Sequence, residues 1–176
     1  IPPKQIYVVL AMELREKEAK ERGEILRAEF KDIFGDIFAT FHPDIDGEVK
    51  GKSSNQAYAA IQAHKILIES GKIDINYATI SSVDADSIFD RQFAAYLAYK
   101  FLTDENPYNK FWQSANVNYN NFWEVPAPIR VRSFFGSVWR SAQLIQGERI
   151  IVNSPYYLYF KMIHLSGYWV SDLIPA

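Results

Sequence analysis

The chain has 176 residues, with 19 Lys and Arg against 21 Asp and Glu and a formal net charge of −2. Its 48% apolar and 15% aromatic content is typical of a folded domain and excludes a disordered chain. The near-neutral charge argues against nucleic-acid binding, and the lack of cysteine excludes disulfides, zinc–thiolate sites and cysteine nucleophiles. No run approaches the roughly 20 apolar residues of a membrane span. The length predicts one domain, residues 1–176.

Strands alternate with helices in the first hundred residues. Residues 6–11, 38–41 and 76–83 are short apolar runs typical of buried strands. The charge-rich residues 13–30 between the first two runs predict a helix. This alternation predicts an α/β fold with a mainly parallel sheet flanked by helices.

Polar caps and glycines mark the expected ends of the next helices. Ser53 or Ser54 is expected to cap a helix that Gly71 ends. Asp90 is expected to cap the helix that follows the third strand.

The second half has weaker patterns. Residues 108–132 predict extended segments and loops, and residues 133–146 predict an amphipathic helix. Ser154 and Pro155 predict the start of a buried helix that is apolar nearly all round and ends at Gly167.

Two carboxylates, Asp84 and Asp86, directly follow the third predicted strand. Carboxylates at this spacing can hold a hard cation such as Mg²⁺ or Mn²⁺ and leave positions open for phosphate oxygens. Functional sites of α/β sheets lie at the carboxyl ends of the strands. An aspartate that caps the next helix has the same pattern, so both interpretations stay open.

Residues 47–55, GEVKGKSSN, lie between a predicted strand and a predicted helix. Glycines, a helix N-terminus and the charges of Lys50 and Lys52 suit an anion. The segment nearly matches a phosphate-binding P-loop, but Asp46 stands where that motif requires glycine. The alternative is a surface loop with solvated lysines.

Glu13 ends the first predicted strand, where a carboxylate can accept hydrogen bonds from a base or ribose or can begin the charged helix. The histidines are far apart in the sequence, without metal-ligand spacing. His64 and His164 are expected at core or boundary positions of helices.

Taken in order, IYVVLAME, FHP, GEVKGKSSNQAYA and ISSVDADS resemble the nucleotide-binding core of family-two glycosyltransferases. These enzymes have the GT-A fold, a Rossmann-like arrangement, and the likeness is strongest to processive, membrane-associated members similar to cellulose and hyaluronan synthases. Residues 6–100 match best. The resemblance implies a nucleotide-sugar-binding half, residues 1–102, and an incomplete acceptor-side half, residues 103–176.

The resemblance also implies roles for individual residues. Asp84 and Asp86 would be the DxD pair, with Asp84 facing the nucleotide and Asp86 the Mg²⁺ or Mn²⁺ that bridges its diphosphate. Glu13 would contact the base, and Lys52 and Asn55 would line the donor pocket. The implied reaction transfers a sugar, with inversion, from a nucleotide-diphosphate sugar to the hydroxyl of a saccharide or lipid-linked acceptor. A cytoplasmic domain of a parent protein at the cytoplasmic face of a membrane is expected.

The chain departs from the family at both ends. The family's first strand is missing, and its catalytic base belongs to a Glu-Asp pair expected just beyond Ala176. Asp172 is a poor substitute because it precedes that position. We therefore expect a truncated, inactive fragment that self-associates through an exposed sheet edge.

Three other functions remain open at this stage. A phosphohydrolase of the haloacid dehalogenase type would use Asp84 as nucleophile and Asp86 as acid. A P-loop-like nucleotide hydrolase would use the same pair. A noncatalytic interaction module would carry these charges only on its surface.

Overall fold

Two small sheets, one parallel and one antiparallel, organise the computed structural model, which describes residues 1–114, 116–145 and 155–170. The strands are β1 (Tyr7–Glu13), β2 (Asp36–His42), β3 (Thr79–Ser82), β4 (Phe111–Gln113) and β5 (Tyr156–Tyr159). The helices are α1 (Ala19–Phe30), α2 (Lys52–Ala63), α3 (Phe93–Thr103), α4 (Ala127–Ile145) and α5 (Phe160–Leu165).

The parallel sheet pairs β1 with β2, from Tyr7 opposite Asp36 to Glu13 opposite His42. Helix α1 connects the two strands and packs on both of them. Its buried Gly23 allows this approach, because a Cβ there would lie 2.9 Å from the Cβ of Ala39. The expected β-α-β unit is confirmed, and its two strands end side by side.

The second sheet corrects the expectation of a mainly parallel sheet. Its order is β3-β5-β4, and β5 runs antiparallel to both neighbours. Strand β3 pairs with a segment far along the chain, Thr79 opposite Tyr159. The fold is therefore α/β with one small sheet of each kind.

Strand β5 also corrects the helix predicted from Pro155. Residues Tyr156–Tyr159 form a strand, and the helix begins only at Phe160. An apolar run buried on both faces looks the same in a central strand and in a buried helix, so periodicity could not distinguish them. Gly167, with φ 84°, follows the helix as expected, and Ser154 lies outside the described residues.

Two other helix starts differ from the predictions. Helix α2 begins at Lys52, so Ser54 lies inside its first turn and its hydroxyl donates to the carbonyls of Val49 and Gly51. Helix α4 begins at Ala127 rather than near residue 133, because a proline at position 128 is tolerated in a first turn. The expected role of Asp90 is confirmed in part: its carboxylate accepts from the Gln92 amide, just before α3.

The two sheets share one core. Ala63 at the end of α2, Leu67 in the π-helical turn His64–Glu69 and Phe160 in α5 form a buried cluster. Val9 of β1 and Ile80 of β3 pack against it. Among the described helices, none is long and apolar enough to cross a membrane.

Candidate functional site

The predicted site residues lie where β1, β2 and β3 end. Glu13 and His42 are the paired last residues of the parallel strands, and Asp84 follows the last residue of β3 by two positions. The first turn of α2 brings Lys52 and Asn55 to the same region. Carboxyl ends of strands from both sheets and the N-terminus of α2 therefore meet there.

A contact between Lys52 and Asp84 joins the two motifs. The Lys52 ammonium donates to Asp84 Oδ1, although the residues are 32 positions apart. Both side chains are well exposed, at 39% and 46%. An ion pair in this setting contributes little to stability and can be exchanged for a ligand at small cost.

Asn55 holds the free edge of β1. The carbonyl of Ile6 and the amide of Leu14 bond towards β2. Because hydrogen-bonding directions alternate along a strand, the carbonyl of Ala11 points away from β2, and it accepts from Asn55 Nδ2 at 3.0 Å. Among the described residues, none donates a hydrogen bond to the buried Asn55 Oδ1. Because buried polar atoms are normally paired, this oxygen suits a ligand donor group.

A hydrogen-bonded chain ties α2 to the antiparallel sheet beside Asp84. Gln56 donates to the hydroxyl of Ser82, the last residue of β3, and accepts from Tyr156 at 3.4 Å. The indole of Trp169 donates to Tyr156, and burial raises the pKa of this tyrosine. These contacts fix the distance between the helix that carries Lys52 and the strand that precedes Asp84.

His42 is a site residue that sequence reasoning missed. It is buried, its Nε2 lies 2.9 Å from Glu48 Oε2, and its ring lies 5.0 Å from that of Tyr58 in α2. The pair anchors the loop between β2 and α2 and lines a small pocket with Glu13 and Ser54. Its position at the end of the second strand, before Pro43, was the available signal.

Two predicted residues point elsewhere. Glu13 forms an ion pair with Arg15 and lines the pocket beside His42 rather than the Lys52–Asp84 contact. Lys50 pairs with Asp44 at 2.8 Å, and this hydrogen bond lowers the pKa of the Asp44 carboxyl. Of the two lysines in the predicted anion loop, Lys52 is the one that reaches Asp84.

Asp84 and Asp86 supply oxygen donors of the kind that Mg²⁺ and Mn²⁺ prefer. The backbone of Asp86 is fixed by Asn120, whose Nδ2 donates to its carbonyl at 2.8 Å, and its side chain is exposed. The described residues contain no group of three His, Cys, Asp or Glu that could hold a metal. A cation held by this pair would have to take its remaining ligands from phosphate and water.

His64 and His164, distant in the sequence, are stacked in the structure. Their ring centroids are 4.0 Å apart, and their planes differ by 5°. Imidazole lone pairs lie in the ring plane, so the lone pairs of the two stacked rings lie in separate parallel planes and do not converge on one metal ion. His64 Nδ1 lies 3.2 Å from Glu69, and His164 Nδ1 lies 2.8 Å from the Tyr168 hydroxyl.

Asp172 lies outside the described residues. Comparisons with protein-family models, with curated proteins and with solved structures give no match.

Proposed function

We propose that this chain is the donor-binding part of a metal-dependent, inverting glycosyltransferase with a GT-A-like core. The observation that carries the proposal is the contact between Lys52 and Asp84, because it joins the two sequence motifs at the ends of the strands. A nucleotide diphosphate needs a cation and an anion-binding group at one place, and these two motifs supply both.

Each residue then has a distinct task. Lys52 leaves Asp84 and pairs with the diphosphate, while Asp84 and Asp86 hold Mg²⁺ or Mn²⁺. Asn55 Oδ1 accepts a hydrogen bond from the nucleotide-sugar donor. Glu13, beside the pocket lined by His42, contacts the base. The bound cation would offset the charge that develops on the leaving diphosphate.

The partners follow from this reaction. The donor is a nucleotide-diphosphate sugar, and the acceptor is the hydroxyl of a saccharide or of a lipid-linked sugar. A cytoplasmic site, a membrane-associated parent protein and self-association through a free sheet edge belong to the same proposal.

Nucleotide binding tests the donor site directly. UDP and GDP are titrated into the 176-residue chain by calorimetry, with Mn²⁺, with Mg²⁺ and with EDTA. We expect binding that requires the cation and that Asp86→Ala abolishes. Asp90→Asn is the control, since it removes one negative charge from the same loop, keeps an oxygen that can accept from the Gln92 amide and leaves the DxD pair intact.

Two outcomes would reject the proposal. Binding without a cation, or no binding of either nucleotide at any cation concentration, excludes this donor site. Hydrolysis of small phosphate esters that Asp84→Asn abolishes would indicate the phosphohydrolase instead.

A further inference from the structure

Helix α4 turns its apolar side towards solvent. An exposed stripe recurs at helical spacing along nearly its whole length. The stripe consists of Val131, Phe134, Phe135, Val138, Trp139 and Ile145. A helix that only covered a core would turn its apolar side inward, so the exposed apolar side of α4 is suited to contact with another apolar surface.

The polar side of α4 faces the protein. Ser137 is buried, accepts from the amide of Asn118 at 3.1 Å and donates to the carbonyl of Ser133. One turn further, Arg140 Nε donates to the carbonyl of Asn116 at 3.2 Å. Hydrogen bonds therefore fix the rotation of the helix and keep the apolar stripe outward.

The charges of α4 have one sign. Arg130 and Arg132 lie in its first two turns, Arg140 is turned inward to the carbonyl of Asn116, and no Asp or Glu occurs between Glu124 and Glu148. A second copy of the chain placed on this stripe would bring like charges together. An anionic surface would be attracted to the same helix.

We propose that α4 lies in the interface of an anionic membrane, with its apolar stripe at the boundary between headgroups and acyl chains. Helices that lie on membranes combine an apolar face rich in Phe and Trp with arginines beside it, which is the composition of α4. Their affinity has an apolar part and an electrostatic part, and α4 supplies both. This surface does not depend on the proposed sugar transfer.

Vesicle co-sedimentation of the 176-residue chain tests the proposal without nucleotide or metal. Vesicles of phosphatidylcholine alone are compared with vesicles that also contain phosphatidylglycerol. We expect binding to the anionic vesicles that weakens with salt. Phe134→Glu should reduce the affinity about tenfold or more, because it places a charge in the apolar boundary. Arg132→Gln should reduce it about fivefold on anionic vesicles.

Ile25→Glu on α1 is the matched control. Ile25 is 57% exposed and Phe134 is 56% exposed, so the two substitutions add the same charge to equally accessible side chains. We expect Ile25→Glu to bind as the unmodified chain does, and all variants to have its melting temperature.

Failure of the unmodified chain to bind anionic vesicles would overturn the proposal, as would equal binding by Phe134→Glu. Analytical ultracentrifugation of the same proteins without lipid tests the other possible occupant of the stripe, a second copy of the chain. A dimer that Phe134→Glu dissociates, together with absent vesicle binding, would assign the stripe to a second copy of the chain.

Discussion

The parallel half of the molecule, residues 1–75, and the antiparallel half, the described part of residues 76–170, bury their helices very differently. In the parallel half, α2 contains five buried residues and packs on β1 and β2. In the antiparallel half, the longer α4 contains one, Ser137, among those of its residues that the structure describes. In the first half the helices thus cover the parallel sheet and help to build the core that is shared with Phe160, whereas the second half leaves an apolar helix face open. A docking face needs exposure, and α4 in the second half supplies it, whereas α1 and α2 support the parallel sheet.

Removing the shared core should produce the largest effect and should test whether the halves are separable. Phe160→Ala truncates a side chain that is 5% exposed, and we expect a loss of about 3–5 kcal/mol in the free energy of unfolding. Urea unfolding measures this loss. Phe134→Ala, the same change at an exposed position, should cost at most about 0.5 kcal/mol.

The same experiment shows whether the halves unfold together. All four tryptophans lie beyond residue 100, in the antiparallel half, so fluorescence follows that half while far-UV circular dichroism follows both. We expect coincident transitions that Phe160→Ala shifts equally. If the two signals separate, each half is stable by itself and the shared cluster does not couple them.

Two helical glycines should respond to alanine with opposite signs. At Gly23 in α1, a new Cβ would meet the Cβ of Ala39 at 2.9 Å, and Ala39 is fixed in β2. Overpacking costs about 1–3 kcal/mol and exceeds the gain in helix propensity of about 1 kcal/mol, so we expect a net loss of about 1 kcal/mol. At Gly136 in α4 the nearest atom is Arg140 Nη2 at 3.9 Å, and we expect stabilisation of up to about 1 kcal/mol. Thermal unfolding of both variants measures the two changes in stability. Changes of the same sign would contradict the inferred difference in packing between α1 and α4.

The link between the two halves can be tested at two lysines, Lys50 in the loop between β2 and α2 and Lys52 at the start of α2. Lys52 reaches Asp84 in the antiparallel half, while Lys50 pairs with Asp44 inside the parallel half. Lys52→Met should weaken binding of the UDP–Mn²⁺ complex about tenfold, because it removes the charge-assisted hydrogen bond to phosphate that we propose. Lys50→Met should leave that affinity unchanged. Calorimetry compares the two, and equal losses would show that overall loop charge, rather than the position of Lys52, matters.

The parallel half was predictable because its elements follow one another closely. Its two strands were predicted from short apolar runs, and the helix that connects them from the charge-rich residues between those runs. Gly71 indicated where the second helical segment ends. The cap of α2 was predicted two or three residues late, at Ser53 or Ser54 instead of Gly51, since Ser54 bonds to the preceding loop from inside the helix. Such a difference arises from tertiary contacts that no local pattern contains.

The antiparallel half was harder because its pairing is distant. Nothing near Thr79 indicates that Tyr159 is its partner, and the run after Pro155 fits a helix as well as a strand. Distant contacts limited the prediction of the candidate site as well. The family resemblance implied that Lys52 and Asp84 belong to one donor pocket, and the two side chains are in contact. His42 was missed because its partner Glu48 becomes apparent only when the loop is folded.

The smallest expected effect is a pH dependence confined to the parallel half. The hydrogen bond from Lys72 lowers the pKa of the Asp36 carboxyl, helped by the amide of Ile37. A depressed pKa in the folded state means that ionised Asp36 stabilises the fold above about pH 4, the unfolded value, and that this contribution is lost as pH falls through the folded pKa. Because Lys72 is half exposed, Asp36→Asn should cost about 0.5–1 kcal/mol at pH 7.

Urea unfolding at several pH values measures this dependence as the difference between the unmodified chain and Asp36→Asn. The difference should be constant from about pH 7 to pH 5 and should shrink below about pH 4. Asp32→Asn, at an exposed position in the turn before β2, should show no such change. A difference that persists at acid pH would mean that Asp36 acts through its hydrogen bonds rather than through its charge. The parallel half would then owe nothing measurable to this ion pair, and its stability would rest on the packing of α1 and α2 against the sheet.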